Sequence, residues 1–262
     1  MSRNFQGIIK SAHIAKFRKM VDLNFEIGSH LTIIAGQNST MKTTLLGMLG
    51  QPFSMRNQES PLYGSRTIEG KMFEGKLQDK FRFSPDHDKP GEHLWRLDFV
   101  DTNIDDDGYI EVNSIPSKDR RGGLRFWSTS GREQGDGFVQ LPVIFLSLKR
   151  LVPIGESKNI KLSRETLTPE EQKFFATYHN SILGLSEEIL SSQYISGASK
   201  ESIGPETAQY DAQAISAGQD NIGRILLAVL SFKRLKDTYG KDYKGGLLLI
   251  DELDATLFPA AQ

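Results

Sequence analysis

The chain has 262 residues, a formal net charge of −1 and no cysteine, which excludes disulfide scaffolds, thiolate metal sites and cysteine nucleophiles. The balanced charge gives no global case for nucleic-acid binding, and no apolar run approaches the roughly 20 residues that span a bilayer. With 38% hydrophobic and 25% charged residues the composition is globular, with length for one large domain or two small ones. The N-terminus MSRNFQG lacks the apolar stretch of a signal peptide, so the expected compartment is the cytoplasm, without a membrane partner.

In chain order, residues 5–35 carry three strand-like runs: FQGIIKSAHIAKF, VDLNFEI and LTIIA. The last is apolar on both faces, which predicts a central, fully covered strand. A helix follows from Lys42 to about Leu49, stopped by Gly50 and Pro52. Residues 51–70 read as a loop. From 71 to 132 the runs KFRFSP, LWRLDFV, GYIEVN and LRFWSTS, divided by Pro and Gly turns, predict an antiparallel insert packed on the first strands. VIFLSL at 143–148 reads as a second central strand. After Pro153 the pattern turns helical. Thr168-Pro169-Glu170-Glu171 is a capping box that opens one helix. SEEILSSQYI reads as a second, short helix, and ASKESIGPETAQYD as a loop. A long amphipathic helix is expected from about Asp220 to Tyr239, ended by Gly240, and LLLI at 247–250 is the last strand.

Two stretches carry chemistry. In LTIIAGQNSTMKTTLLGML a strand leads through Gly36, Gln37, Asn38, Ser39 and Thr40 to Met41, Lys42, Thr43 and Thr44 at a helix start. The pattern G-x-x-x-x-G-K-[ST] is met at Gly36, Lys42 and Thr43 and broken at Met41, where glycine is expected. Such a loop aims backbone N–H groups at phosphates, with lysine as a mobile charge and the following hydroxyl as a Mg²⁺ ligand. Met41 fits only with helical dihedrals and an outward side chain. The rival reading is a turn with a chance Lys-Thr pair. In the second stretch, LLLIDELDATL, an apolar strand ends in Asp251 and Glu252. In a nucleotide hydrolase the first acid holds the metal's water shell and the second orients the attacking water. The rival is a buried strand with solvated acids at its end.

Between them Ile215-Ser216-Ala217-Gly218-Gln219 stands directly before the long helix. With three motifs in this order the chain resembles the ATP-binding-cassette ATPases, in their SMC, RecF and OLD-like branch. ISAGQ is similar to that family's LSGGQ signature, LLLIDELDATL to its Walker B strand and D-loop, and FRKMVDLNFEIGSHLTIIAGQN to its entry into the phosphate loop. The resemblance covers both ends and one internal site, and residues 51–200 carry no placed motif. It implies an α/β P-loop head, with a mixed central sheet, an antiparallel β subdomain and a helical lobe. The expected divisions are 1–153 for the nucleotide-binding lobe with its insert, 154–220 for the helical lobe, and 221–262 for the return to the first lobe.

The resemblance further implies ATP and Mg²⁺ as ligands. The nucleotide would lie on residues 36–44, and Thr43 and Asp251 would serve the metal. Glu252 would act on the attacking water. Gln140, with Gln134 as its rival, would sense metal and water, against the alternative of a surface glutamine; Arg18 after Phe17 would reach the nucleotide, against the favoured alternative of a solvated hairpin arginine. Ser216, Ala217, Gly218 and Gln219 of one protomer would dock on the γ-phosphate held by another, making ATP the glue of a head-to-head homodimer. The general style is similar to ATPases of bacterial anti-phage systems of the Septu and retron types, in which a separate nuclease or toxin is the effector. Two alternatives stand beside this: a DNA-repair or OLD-like ATPase without its nuclease domain, and a non-hydrolysing nucleotide-binding module. The sequence stops at Gln262, after the D-loop region, and none of its five histidines follows Asp251. The family's closing strand and switch histidine are absent from it, so the expectation is a truncated product, a fragment of a longer ATPase, or a chain completed by something else.

Asp105-Asp106-Asp107-Gly108 resembles the start of a calcium loop, but Pro116 stands where the twelfth-position glutamate belongs, so a hairpin turn is expected. Lys118, Arg120, Arg121, Arg125 and Arg132, with Phe126 and Trp127, form either a DNA-facing patch or a solvated hairpin face. Lys149-Arg150 after the second central strand could aim at phosphate or DNA.

Overall fold

The computed structural model describes residues 8–38, 40–75, 77, 83–100, 108–117, 123–129, 138–163, 167–198, 200–255 and 257. It is a mixed α/β protein with antiparallel sheets and three α-helices among the described residues. Two compact units are present. The first comprises Met1–Ser65, Met72–Phe145 and Tyr239–Leu249; the second comprises Arg66–Lys71, Leu146–Thr238 and Ile250–Gln262. These units divide at 145/146 rather than at 153/154, and the long helix belongs to the second of them.

In the first unit β1 (Ile9–Phe17), β2 (Met20–Glu26), β3 (Leu94–Phe99), β4 (Tyr109–Pro116) and β5 (Leu124–Ser128) form one antiparallel sheet in the order β2-β1-β3-β4-β5. The expected insert therefore joins the first strands in a single sheet. Alternation produces this: β3, β4 and β5 bury every second residue, so Trp95, Leu97, Ile110, Val112 and Phe126 line one face. Helix α1 (Lys42–Gly50) lays Leu45, Met48 and Leu49 into the same core. The Trp95 indole N–H donates to the Met48 carbonyl at 3.2 Å and fixes the helix on β3.

The run 31–35 departs from expectation. It is not a strand; Leu31 is 75% and Ile33 80% exposed, and only Ile34 packs on the core. An apolar run records a capacity for burial, but a strand also needs a ladder partner for its backbone. No described strand pairs with residues 31–35, so the segment stays irregular and Leu31 and Ile33 face solvent.

VIFL forms β6 (Val143–Leu146), buried throughout, and LLLI forms β10 (Leu247–Ile250) beside it. Leu247 N–H bonds to Pro142 and Asp251 N–H to Leu146, an equal step along both chains that makes the pair parallel.

In the second unit α2 (Pro169–Leu183) starts at the predicted box: Thr168 Oγ1 accepts from Glu171 N–H, and Glu171 accepts from Thr168 N–H at 2.9 Å. Helix α3 (Ala217–Tyr239) is 23 residues long and packs Ile222, Leu226, Leu227 and Leu230 with Phe175 and Ile203. The region expected to be a helical lobe also holds a three-stranded antiparallel sheet: β7 (Lys161–Ser163), β8 (Ser191–Ser196) and β9 (Glu201–Glu206). Both the expected short helix in SEEILSSQYI and the expected loop in ASKESIGPETAQYD are corrected by these strands. The reason is that β8 and β9 bury polar residues, Ser192, Gln193 and Ser202, which hide their period in a hydropathy reading.

Candidate functional site

In the first unit the chain turns at residues 36–41 and enters α1 at Lys42. Lys42 Nζ donates to the carbonyls of Gly36 at 2.8 Å and Gln37 at 3.0 Å, and Thr40 Oγ1 donates to Gln37 at 2.7 Å. The lysine charge is thus folded back over its own loop. Gly36, Gln37, Asn38 and Thr40 are exposed, Lys42 and Thr43 half-buried, and Thr44 buried. Ser39 lies outside the described residues. No acid stands in the first turn of α1, and Met41 gives it no side-chain cap, so this helix end keeps its positive potential.

Met41 lies at φ 66°, ψ 24°, in the left-handed region. The phosphate-loop reading required helical dihedrals and an outward side chain here; the backbone is left-handed and Met41 packs against the core, so that requirement is not met. The backbone adopts the conformation that glycine would take freely, and methionine carries the cost. Among the described non-glycine residues five have positive φ, and three of them, Arg18, Met41 and Glu252, are residues singled out from sequence. Strain of this kind persists where surrounding contacts over-determine it.

Arg18 makes a two-pronged ion pair with buried Asp88, Nε to Oδ1 at 2.7 Å and Nη2 to Oδ2 at 2.8 Å. Ser84 N–H adds a bond to Asp88 at 2.7 Å. Burial pushes the Asp88 carboxyl up, but the Arg18 and Ser84 bonds outweigh it and hold it down at about 2. The Gln140 side chain is tied to backbone: it accepts from Asn57 N–H and donates to Phe138 O, each at 2.9 Å. Gln134 lies outside the described residues, as do residues 101–107 and, of the basic cluster, Lys118, Arg120, Arg121 and Arg132. Arg125 stacks 5.6 Å from the Trp127 ring centroid.

In the second unit Ser216 and Gln219 are joined in a capping box for α3. Ser216 Oγ accepts from Gln219 N–H at 3.2 Å, and Gln219 Oε1 accepts from Ser216 N–H at 2.9 Å. Gln219 Nε2 also donates to the Tyr210 hydroxyl at 2.9 Å. Ser216 is exposed and its hydroxyl hydrogen is not used by the cap; Ala217 and Gly218 are half-buried in the first turn. Asp251 is buried at the end of β10, and Glu252 beside it is exposed with φ 53°.

Sequence reasoning left the direction of Arg150 open, and the structure turns it inward. It sits in a short 3₁₀ turn, Leu148–Leu151, and is 3% exposed. Its guanidinium donates to the backbone carbonyls of Asp251 and Glu252, the latter at 2.6 Å, and to Asn221 Oδ1 of α3 at 2.9 Å. Burial pushes its pKa down, while the nearby Asp251, Glu252 and Asp254 carboxylates pull it up. The position of Lys149-Arg150 after an apolar strand was the available signal; nothing in spacing announced its partners. Among the described residues no group of three or more acidic or histidine side chains forms a metal cluster. The Thr43 hydroxyl of the first unit and the Asp251 carboxylate of the second are each oxygen donors of the hard kind that Mg²⁺ takes. Compared with known families and with curated proteins, the chain matches no family model and no curated sequence.

Proposed function

We propose that the chain binds ATP on the loop 36–44 and belongs to an ATPase of the ATP-binding-cassette type, in the branch its motifs resemble. The observation that carries this reading is Lys42 Nζ bridging the Gly36 and Gln37 carbonyls directly ahead of α1. A lysine so placed exchanges two neutral carbonyls for a triphosphate at little rearrangement, beside a helix end that favours anions. Mg²⁺ would supply positive charge to offset that of the phosphates, and the family resemblance assigns the Thr43 hydroxyl and the Asp251 carboxylate to hold it. In hydrolysis the water oxygen bonds to the γ-phosphorus and the bond to the β,γ-bridging oxygen breaks. ADP leaves, and the water proton passes to the Glu252 carboxylate.

The further roles are part of the same proposal. Ser216 keeps a hydroxyl hydrogen for a γ-phosphate presented by a second copy, at the N-terminus of α3, whose first-turn acid Asp220 is paired with Lys200. ATP would then join two copies head to head, and the assembled state would control a nuclease or other effector in anti-phage defence. A second reading, a nucleotide-binding module without turnover, is favoured by the engagement of both Ser216 and Gln219 in the α3 cap. Phosphate release separates them. ATPase function predicts turnover that Glu252→Gln abolishes while ATP still binds and the dimer accumulates. A wild-type chain that binds ATP without releasing phosphate fits the second reading and contradicts the first.

A further inference from the structure

Arg150 is a buried cation whose hydrogen bonds go to neutral oxygens: the Ser147 carbonyl of its own turn at 3.4 Å, and two separate segments beyond it. Nη2 reaches Glu252 O at 2.6 Å, Nη1 reaches Asp251 O, and Nε reaches Asn221 Oδ1 at 2.9 Å. Asn221 in turn donates from Nδ2 to Ala255 O at 3.1 Å. The Arg150 carbonyl accepts from Lys200 Nζ at 2.7 Å, and Lys200 is paired with Asp220 Oδ2 at 2.6 Å. Asp220 Oδ2 also accepts from Ile154 N–H at 2.7 Å. Lys200, Asp220 and Asn221 are all buried. One polar network therefore grips the backbone of residues 251–255 and the first turn of α3, immediately after Ser216–Gln219.

Placing a guanidinium here is costly, and neutral carbonyls offset the lost hydration less well than a carboxylate pair would. What the side chain supplies is a rigid planar fork whose donors span both segments at fixed separation; a lysine offers only a point charge. The carbonyl it holds at Glu252 belongs to a residue with left-handed backbone, φ 53°, a conformation that needs such external restraint.

We infer that Arg150 is a positioning residue that couples the N-terminal turn of α3 to the Asp251–Glu252 backbone, so that a ligand at the Ser216–Gln219 end is registered at the acid pair. This rests on the ATPase reading. Arg150 touches neither nucleotide nor water in it; the fork sets where the Glu252 carboxylate begins.

The test compares ATP affinity, by fluorescent-nucleotide titration, with kcat for phosphate release in the wild type, Arg150→Lys, Asn221→Ala and the double variant. Arg150→Lys keeps the charge and is expected to lower kcat at least about tenfold while ATP Kd stays within about threefold. Asn221→Ala should lower kcat by a smaller factor, and the double variant should be no slower than Arg150→Lys, because both act through one network. An unchanged kcat, an equal loss of affinity and kcat, or multiplicative effects in the double variant would overturn the inference. Should Arg150→Lys fail to fold, hydrogen exchange on Asn221→Ala decides: faster exchange of amides 251–255 than in the wild type supports the coupling, and unchanged exchange overturns it. A wild-type chain that binds no ATP overturns the ATPase reading itself and this inference with it, an outcome distinct from a wild type that turns over and variants that do not respond.

Discussion

Met41 shows how far one residue can be read. Its departure from the glycine of the phosphate-loop pattern is visible in sequence, but the sign of its φ is not, because a side chain normally excludes the left-handed region. The structure gives φ 66°. Met41 also packs against the core, so Met41→Gly gives up that contact along with the strain and should stay within about 0.5 kcal/mol of the wild type, as checked by chemical denaturation. A larger loss of stability would mean that the methionine side chain packs more than its strain costs. Arg18 is the opposite case: the residue was visible, but its partner, 70 positions away, was not. Asp88 is held at about 2 by Arg18 and Ser84 against the upward pull of burial. A folded-state pKa below the unfolded value of about 3.9 gives stability that is present above pH 4 and lost as pH falls towards 2. Asp88→Asn should lower stability at pH 7 by about 2 kcal/mol and flatten the acid limb between pH 4 and 2. An acid limb unchanged in the variant would assign that loss to other carboxylates.

Elements with strong local chemistry were legible. The Thr168–Glu171 box, the α1 start at Lys42, the period-2 strands β3 to β5 and the apolar run of α3 all carry their instructions within a few residues. Ser216–Gln219 was legible as a motif but had two meanings, and the capping box explains those residues without any ligand. The elements that depend on distant partners were not legible. Residues 31–35 have a strand's side chains without a strand's neighbour, and β8 and β9 bury serine and glutamine where hydropathy looks for valine and isoleucine. Gly223 belongs to this group as well. A Cβ there would collide with the Ile203 carbonyl, so α3 lies on β9 at a distance only glycine permits. Gly223→Ala should cost about 3 kcal/mol, read from urea unfolding, because the obstacle is backbone and cannot rotate away. A near-neutral variant would show that α3 can slide along β9.

At the scale of the whole molecule, the sequence motifs fall in both units: the phosphate-like loop with Gln140 and Arg18 in the first, and Ser216–Gln219, Asp251 and Glu252 in the second. Chain order made this division unreadable, since the first unit is assembled from three separate segments and the second from three others. Among the described residues no helix is long and apolar enough to cross a membrane. The proposed role of Lys42 in closing a nucleotide loop is read from the melting temperature of the chain with and without saturating ATP and Mg²⁺, for the wild type and Lys42→Ala. At about 100 times Kd the wild type should gain about 2.7 kcal/mol of stability, a rise of a few degrees, and Lys42→Ala should gain none. No rise in the wild type, or an equal rise in both proteins, would contradict it.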